Sequence, residues 1–155
     1  MQGTGKPMSS DGIWFRRPTP EAIKARHIGT LPGLMGMEFD EVGDDFIRGR
    51  IAVDERSIQP AGILHGGASV VLAETLGSTA CAHTLNPATQ YCVGLTINAN
   101  HVRSAPAGSG WVSGLARPIH LGRSTQVWEI RITDQQNRLV CISRLTLAIL
   151  QKKAT

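Results

Sequence analysis

The sequence predicts an α+β fold in which one antiparallel sheet wraps around a single long helix. Three observations predict it. The run from His65 to about Leu85 is apolar, free of proline and longer than an ordinary strand, so it reads as a helix. Everything after Gln90 reads instead as alternating segments separated by turns. No other segment is long enough to build a second helical layer, so a single helix can bury its apolar surface only if the sheet curls around it.

Length and composition agree with this. The 155 residues suit one compact domain, 13–151, following a polar, glycine-rich tail over 1–12 that is expected to be disordered. At 41% hydrophobic and 18% charged the chain is an ordinary globular one, and with only 5% aromatic residues its core must be mainly aliphatic. The net charge of +4 favours an acidic small molecule, but the cations are scattered and form no basic block, so nucleic acid is not an expected partner. No apolar run resembles a signal peptide, and the most apolar segment carries Glu74 near its middle, so no membrane partner is expected and the expected location is the cytoplasm. Cys81, Cys92 and Cys141 form no CxxC pair; they read as reduced structural thiols, with no metal site and no cofactor.

The elements follow in order. Thr19 to His27 reads as a short helix, with Thr19 as N-cap, Pro20 at the first position and Glu21 in the first turn. Thr30 to Gly36, around Pro32-Gly33, reads as a loop. From Asp44 the period is two: Ile47, Gly49, Ile51 and Val53 share one face, which predicts a half-buried strand. Gln59-Pro60-Ala61-Gly62 breaks the extended run before the long helix, and Asn86-Pro87 ends that helix. Four strands then follow as a meander. The first places Val93, Leu95, Ile97, Ala99 and His101 on one face. The second, Trp111 to Ile119, is bulged or ended by Pro118. The third, Gln126 to Thr133, points Trp128, Ile130 and Ile132 one way, and the last, Leu139 to Gln151, does the same with Leu145, Leu147 and Ile149.

Glu74 is the only formally charged residue between Arg56 and Arg103. Helix glutamates are usually solvated, but this helix has no other charge to mark a wet face. Partial burial is therefore the better inference, and a buried carboxylate needs a partner or a purpose. Ser78 lies one turn further on the same face, where it either holds a water, orients the carboxylate or keeps the helix slim. His65-Gly66-Gly67 stands at the helix start, where unpaired N–H groups and the positive end of the helix dipole suit an oxyanion. Together these residues make a candidate acyl-transfer site. His65 and Glu74 are more than two turns apart on one helix, so cooperation between them requires a second subunit and suggests a symmetric dimer. His27 and His83 have no assigned role; Arg103 and Arg123 could pair with phosphates, but each taken alone reads first as a solvated strand-end arginine.

Leu64-His65-Gly66-Gly67-Ala68-Ser69, followed by Leu72-Ala73-Glu74-Thr75-Leu76-Gly77-Ser78, resembles the hotdog-fold thioesterases of the phenylacetate-pathway and aroyl-CoA type. Gln59-Pro60, Val93-Gly94, Asn98-Ala99-Asn100-His101, His120-Leu121-Gly122-Arg123 and Trp128-Glu129-Ile130 extend the likeness from about Ile13 to Leu150. The resemblance implies an acyl- or aroyl-CoA substrate, 1,4-dihydroxy-2-naphthoyl-CoA being one candidate. It also implies a homotetramer of hotdog dimers with each site between two subunits. Glu74 then matches the catalytic carboxylate, as nucleophile or general base. Gln59 and His65 match residues near the thioester carbonyl, the Gly67 N–H an oxyanion donor, and Ser78 a residue assisting the hydrolytic water. Gly94, the run His101, Val102, Arg103 and Ser104, and the run His120, Leu121, Gly122, Arg123, Ser124 and Thr125 match coenzyme A contacts. Val102 and Ser104 depart from the family's side chains, which points to backbone contacts there. Coenzyme A is part of the substrate, so the resemblance adds no cofactor. A hotdog hydratase or dehydratase and a non-catalytic acyl-CoA-binding module are the competing readings. The Gly-Gly directly after His65 and the depth of Glu74 in the helix favour hydrolysis.

Overall fold

The computed structural model describes residues 12–153. Residues 1–11, most of the expected tail, lie outside the described residues; Gly12 lies against Asp44, whose carbonyl accepts from Ile13 N–H at 3.0 Å. Helix α1 (Pro20–Arg26) begins as its sequence predicts, with the Thr19 hydroxyl accepting from Ala22 N–H. Thr30 to Gly36 is not a plain loop: Leu31–Leu34 forms a one-turn helix, α2. Pro32 fits a first helical turn, where no intrahelical N–H is needed, and Gly36 at φ +67 turns the chain out of it.

Two antiparallel strands follow, β1 (Glu38–Val42) and β2 (Ile47–Ala52). The sequence does not predict β1. It is an edge strand whose only fully buried residue is Phe39, and acidic Glu38, Asp40 and Glu41 mask any alternation. In β2 Ile47, Gly49 and Ile51 are buried, as the period requires. The central helix α3 (Gly66–Thr84) is capped by His65 at its start and by Leu85 at its end.

β3 (Gln90–His101), β4 (Trp111–Leu121), β5 (Thr125–Thr133) and β6 (Leu139–Gln151) complete one six-stranded sheet in the order β1-β2-β4-β5-β6-β3. Only β4, β5 and β6 form a meander. β3 crosses to the far edge and pairs antiparallel with β6, which corrects the expected succession. Its expected face is corrected too. A bulge at Leu95, between Gly94 and Thr96, switches the phase. Cys92 and Gly94 therefore turn toward the helix before the bulge, Ile97 and Ala99 after it, and Val93 and Leu95 are exposed. In β4 the ladder slips between Pro118 and His120, as the proline predicts.

The core is mainly aliphatic, with the indoles of Trp14 and Trp128 buried in it. Leu72, Ala73, Leu76, Ala80 and Cys81 of α3 meet Trp128, Ile130, Ile132, Leu145 and Leu147 from β5 and β6. Leu76 lies in a notch made by Gly49 and Gly114, which are register partners on β2 and β4. With no side chains at those two positions, the sheet closes to contact distance on the helix. Trp128 Nε1 donates to Gln126 Oε1, and Gln126 Nε2 donates to Thr84 Oγ1, so the buried polar groups of β5 also hold the end of α3.

Candidate active site

The structure sorts the expected site residues into three groups. The first gathers at the start of α3. The Gln59 side chain accepts from Ala61 N–H at 2.8 Å and closes the turn that reverses at Gly62, φ +73. His65 N–H donates to Ser57 O and Leu64 N–H to Ala105 O, which pins the helix start between two loops. Nδ1 of His65 accepts from Gly67 N–H at 2.8 Å. A nitrogen that accepts carries no proton, so the neutral ring has its hydrogen on Nε2. The Gly67 N–H, expected as an oxyanion donor, is thus engaged by the imidazole. At Gly66 a Cβ would lie 3.0 Å from His101 Nε2, so the glycine lets that ring approach the first helical turn. Gln59, Gly66, His101, Val102, Arg103 and Ser104 line one cavity of about 420 Å³. Ile63, Ser69 and Val140 line it as well; the sequence does not single them out, because each lies in an ordinary apolar or helical context.

The second group is Glu74 with Ser78 and Gly94. Ser78 Oγ donates to Glu74 Oε1 at 3.0 Å, and Gly94 on β3 faces the same oxygen. Glu74 is half-buried, as its setting predicts. The nine residues from His65 to Glu74 correspond to about 13 Å of helix, so the two do not meet within one chain.

The third group is the β4–β5 turn. Gly122 N–H donates to Thr125 O, and Ile149 N–H donates to Ser124 O. This turn lies at the end of the sheet where Thr125 and Ala148 are register partners and Ala148 in turn faces Val93. His101 is at the other end of β3. Val93 to His101 spans about 27 Å of strand, so one chain does not bring the two expected coenzyme stretches together.

Residues 61–141 match the family model described as the thioesterase superfamily. The chain is 50% identical over 138 residues to the 1,4-dihydroxy-2-naphthoyl-CoA hydrolase of Escherichia coli, covering 89% of this chain and 99% of that protein. It is 46% identical to the proofreading thioesterase EntH of Cronobacter turicensis, with coverage of 89% and 98%. The crystal structure of a mutant thioesterase from Pseudomonas aeruginosa superposes with a TM-score of 0.88 at 41% identity, covering 91% of this chain and all of that one. The chain belongs to the thioesterase superfamily.

This thioesterase has the hotdog fold of those structures and is a thioester hydrolase. Beside its carboxylate lies a thiol pair that the sequence does not reveal as a pair. Cys92 Sγ donates to Ser78 O at 3.8 Å and interacts with the thiol of Cys81. That interaction holds the Cys92 thiol below its usual range, while the same interaction and burial push Cys81 up. His83, in the last turn of α3 beside α1, is held below the usual histidine range by burial and by Arg26. Neither His27 nor His83 belongs to the three groups.

Proposed function

We propose that this thioesterase hydrolyses an acyl- or aroyl-CoA to the free acid and coenzyme A, with Glu74 as the working carboxylate. The observation that carries this reading is the Ser78–Glu74 pair, half-buried on a helix with no other formal charge. Water adds to the thioester carbonyl carbon, the C–S bond breaks, and coenzyme A leaves as the thiolate and takes a proton. As general base Glu74 takes a proton from the water and returns it to the thiolate; as nucleophile it forms an anhydride that water then opens. The carbonyl oxygen becomes negative in either route. The Nε2–H of His65 is free to donate to it, and the Gly67 N–H, bonded to Nδ1 of the same ring, supports that donation from the helix start.

The separation of the three groups favours a shared site. β3 is an open edge with Tyr91, Val93 and Leu95 exposed. Antiparallel pairing of two β3 edges about a two-fold axis would set the His101 end of one subunit beside the Gly94 end and β4–β5 turn of the other. Gln59, His65 and the His101–Ser104 stretch would then face the partner's Glu74, with Arg103 and Arg123 available to the phosphates. We place this dimer in a tetramer, as a dimer of dimers, in the cytoplasm and without metal or other cofactor. The similar E. coli hydrolase makes 1,4-dihydroxy-2-naphthoyl-CoA the first substrate to try. Free-thiol release from a panel of aroyl-, phenylacetyl- and straight-chain acyl-CoAs tests the reading, with an unchanged rate expected after chelation. Failure to release thiol from any member, or loss of activity on chelation that zinc restores, would contradict it.

A further inference from the structure

Gly94 has no backbone reason to be glycine. Its φ is not in the left-handed region, and glycine within a strand is less stable than alanine. The reason lies across the gap to α3. A Cβ at Gly94 would lie 2.7 Å from Glu74 Oε1, and the next nearest heavy atoms are Glu74 Cδ at 3.5 Å and Oε2 at 3.8 Å. All three belong to the one carboxylate. Oε1 also accepts the Ser78 hydroxyl, the one hydrogen bond to this carboxylate among the described residues, so it is enclosed by the helix on one side and β3 on the other. Oε2 lies 3.8 Å from the same position and accepts no hydrogen bond among the described residues. The bulge at Leu95 contributes as well, because the strand's phase before it is what turns position 94 inward.

We propose that Gly94 is a positioning residue for Glu74: its missing side chain leaves the seat that holds Oε1 between β3 and Ser78, so that Oε2 is presented to the thioester or its attacking water. The inference rests on the reading of Glu74 as the working carboxylate. It gives Gly94 a part different from coenzyme contact, because the three heavy atoms nearest its side-chain position among the described residues all belong to the carboxylate.

The test is a double-mutant cycle of Gly94→Ala with Glu74→Asp, assayed on one CoA thioester, with Glu74→Ala and Glu74→Gln beside it. Gly94→Ala should lower kcat by about ten- to a hundredfold, as displacement of a reacting group by about an ångström does, while KM moves less than about threefold. In a Glu74→Asp background, where the shorter carboxylate has withdrawn from β3, the same alanine should change kcat by less than about threefold. In a Glu74→Ala background it should raise the thermal midpoint, since the Cβ then meets no carboxylate. If Gly94→Ala alone does not fold but Glu74→Ala/Gly94→Ala does, the clash is shown by stability instead. Wild-type kcat in Gly94→Ala beside an inactive Glu74→Gln would overturn the role of Gly94 and leave that of Glu74 standing. A change in KM alone, an additive cycle, or failure of both alanine variants to fold would overturn it too. An active Glu74→Gln would remove the reading beneath it.

Discussion

Replacing Glu74 by glutamine keeps the length of the side chain and its hydrogen bond from Ser78 but removes the basic oxygen. Turnover should fall at least about a hundredfold, within the range a positioned base supplies, while the thermal midpoint shifts by no more than a few degrees. Glu74→Gln retaining more than about a tenth of wild-type turnover would sink the catalytic role. Ser78→Ala removes one orienting hydrogen bond, worth about 1 kcal/mol, and should cost about fivefold in kcat. The cysteines add a chemical test. Because Cys81 holds the Cys92 thiol down while that same interaction and burial raise Cys81, and burial raises Cys141, limiting iodoacetamide should modify Cys92 first, as read by peptide mapping. Earlier modification of Cys81 or Cys141 would contradict the pairing.

At the scale of elements, α3 and the strands around it stand on close packing. Leu76 fills the notch between the paired glycines of β2 and β4 with no exposure, so Leu76→Ala should destabilise the fold by about 3–5 kcal/mol in denaturant unfolding. A loss under about 1 kcal/mol would mean that the strands collapse into the vacated space. This central packing was legible in the sequence, because a long proline-free run and the two-residue periods of β2, β5 and β6 each record one buried face. β1 was not, since a single buried Phe39 leaves no period to read. Nor was the phase of β3, because the bulge at Leu95 shifts alternation without a glycine or proline at the inserted residue. The candidate site was legible to a similar degree. Glu74 stood out because charge is absent around it, and Ser78 by helical spacing. The Gly67–His65 bond, the His101 ring over Gly66 and the Cys81–Cys92 contact arise from loop and sheet geometry that no spacing encodes.

For the whole molecule, the distance along α3 sets the experiment. Chains carrying His65→Ala and chains carrying Glu74→Ala should each be inactive. After subunit exchange, random pairing should restore about a quarter of the wild-type sites, because half of the dimers are mixed and each has one intact site. No recovery despite demonstrated exchange would assign both residues to a single chain. The strand order has another consequence, which falls during synthesis. β3 leaves the ribosome before β4, β5 and β6, yet its hydrogen-bonding partner is β6. At about 5–20 residues per second, the 50 residues from His101 to Gln151 leave β3 without its ladder for several seconds. The wall that carries Gly94 is therefore assembled late, and an interrupted chain displays the Tyr91–Val93–Leu95 edge before the carboxylate has its seat.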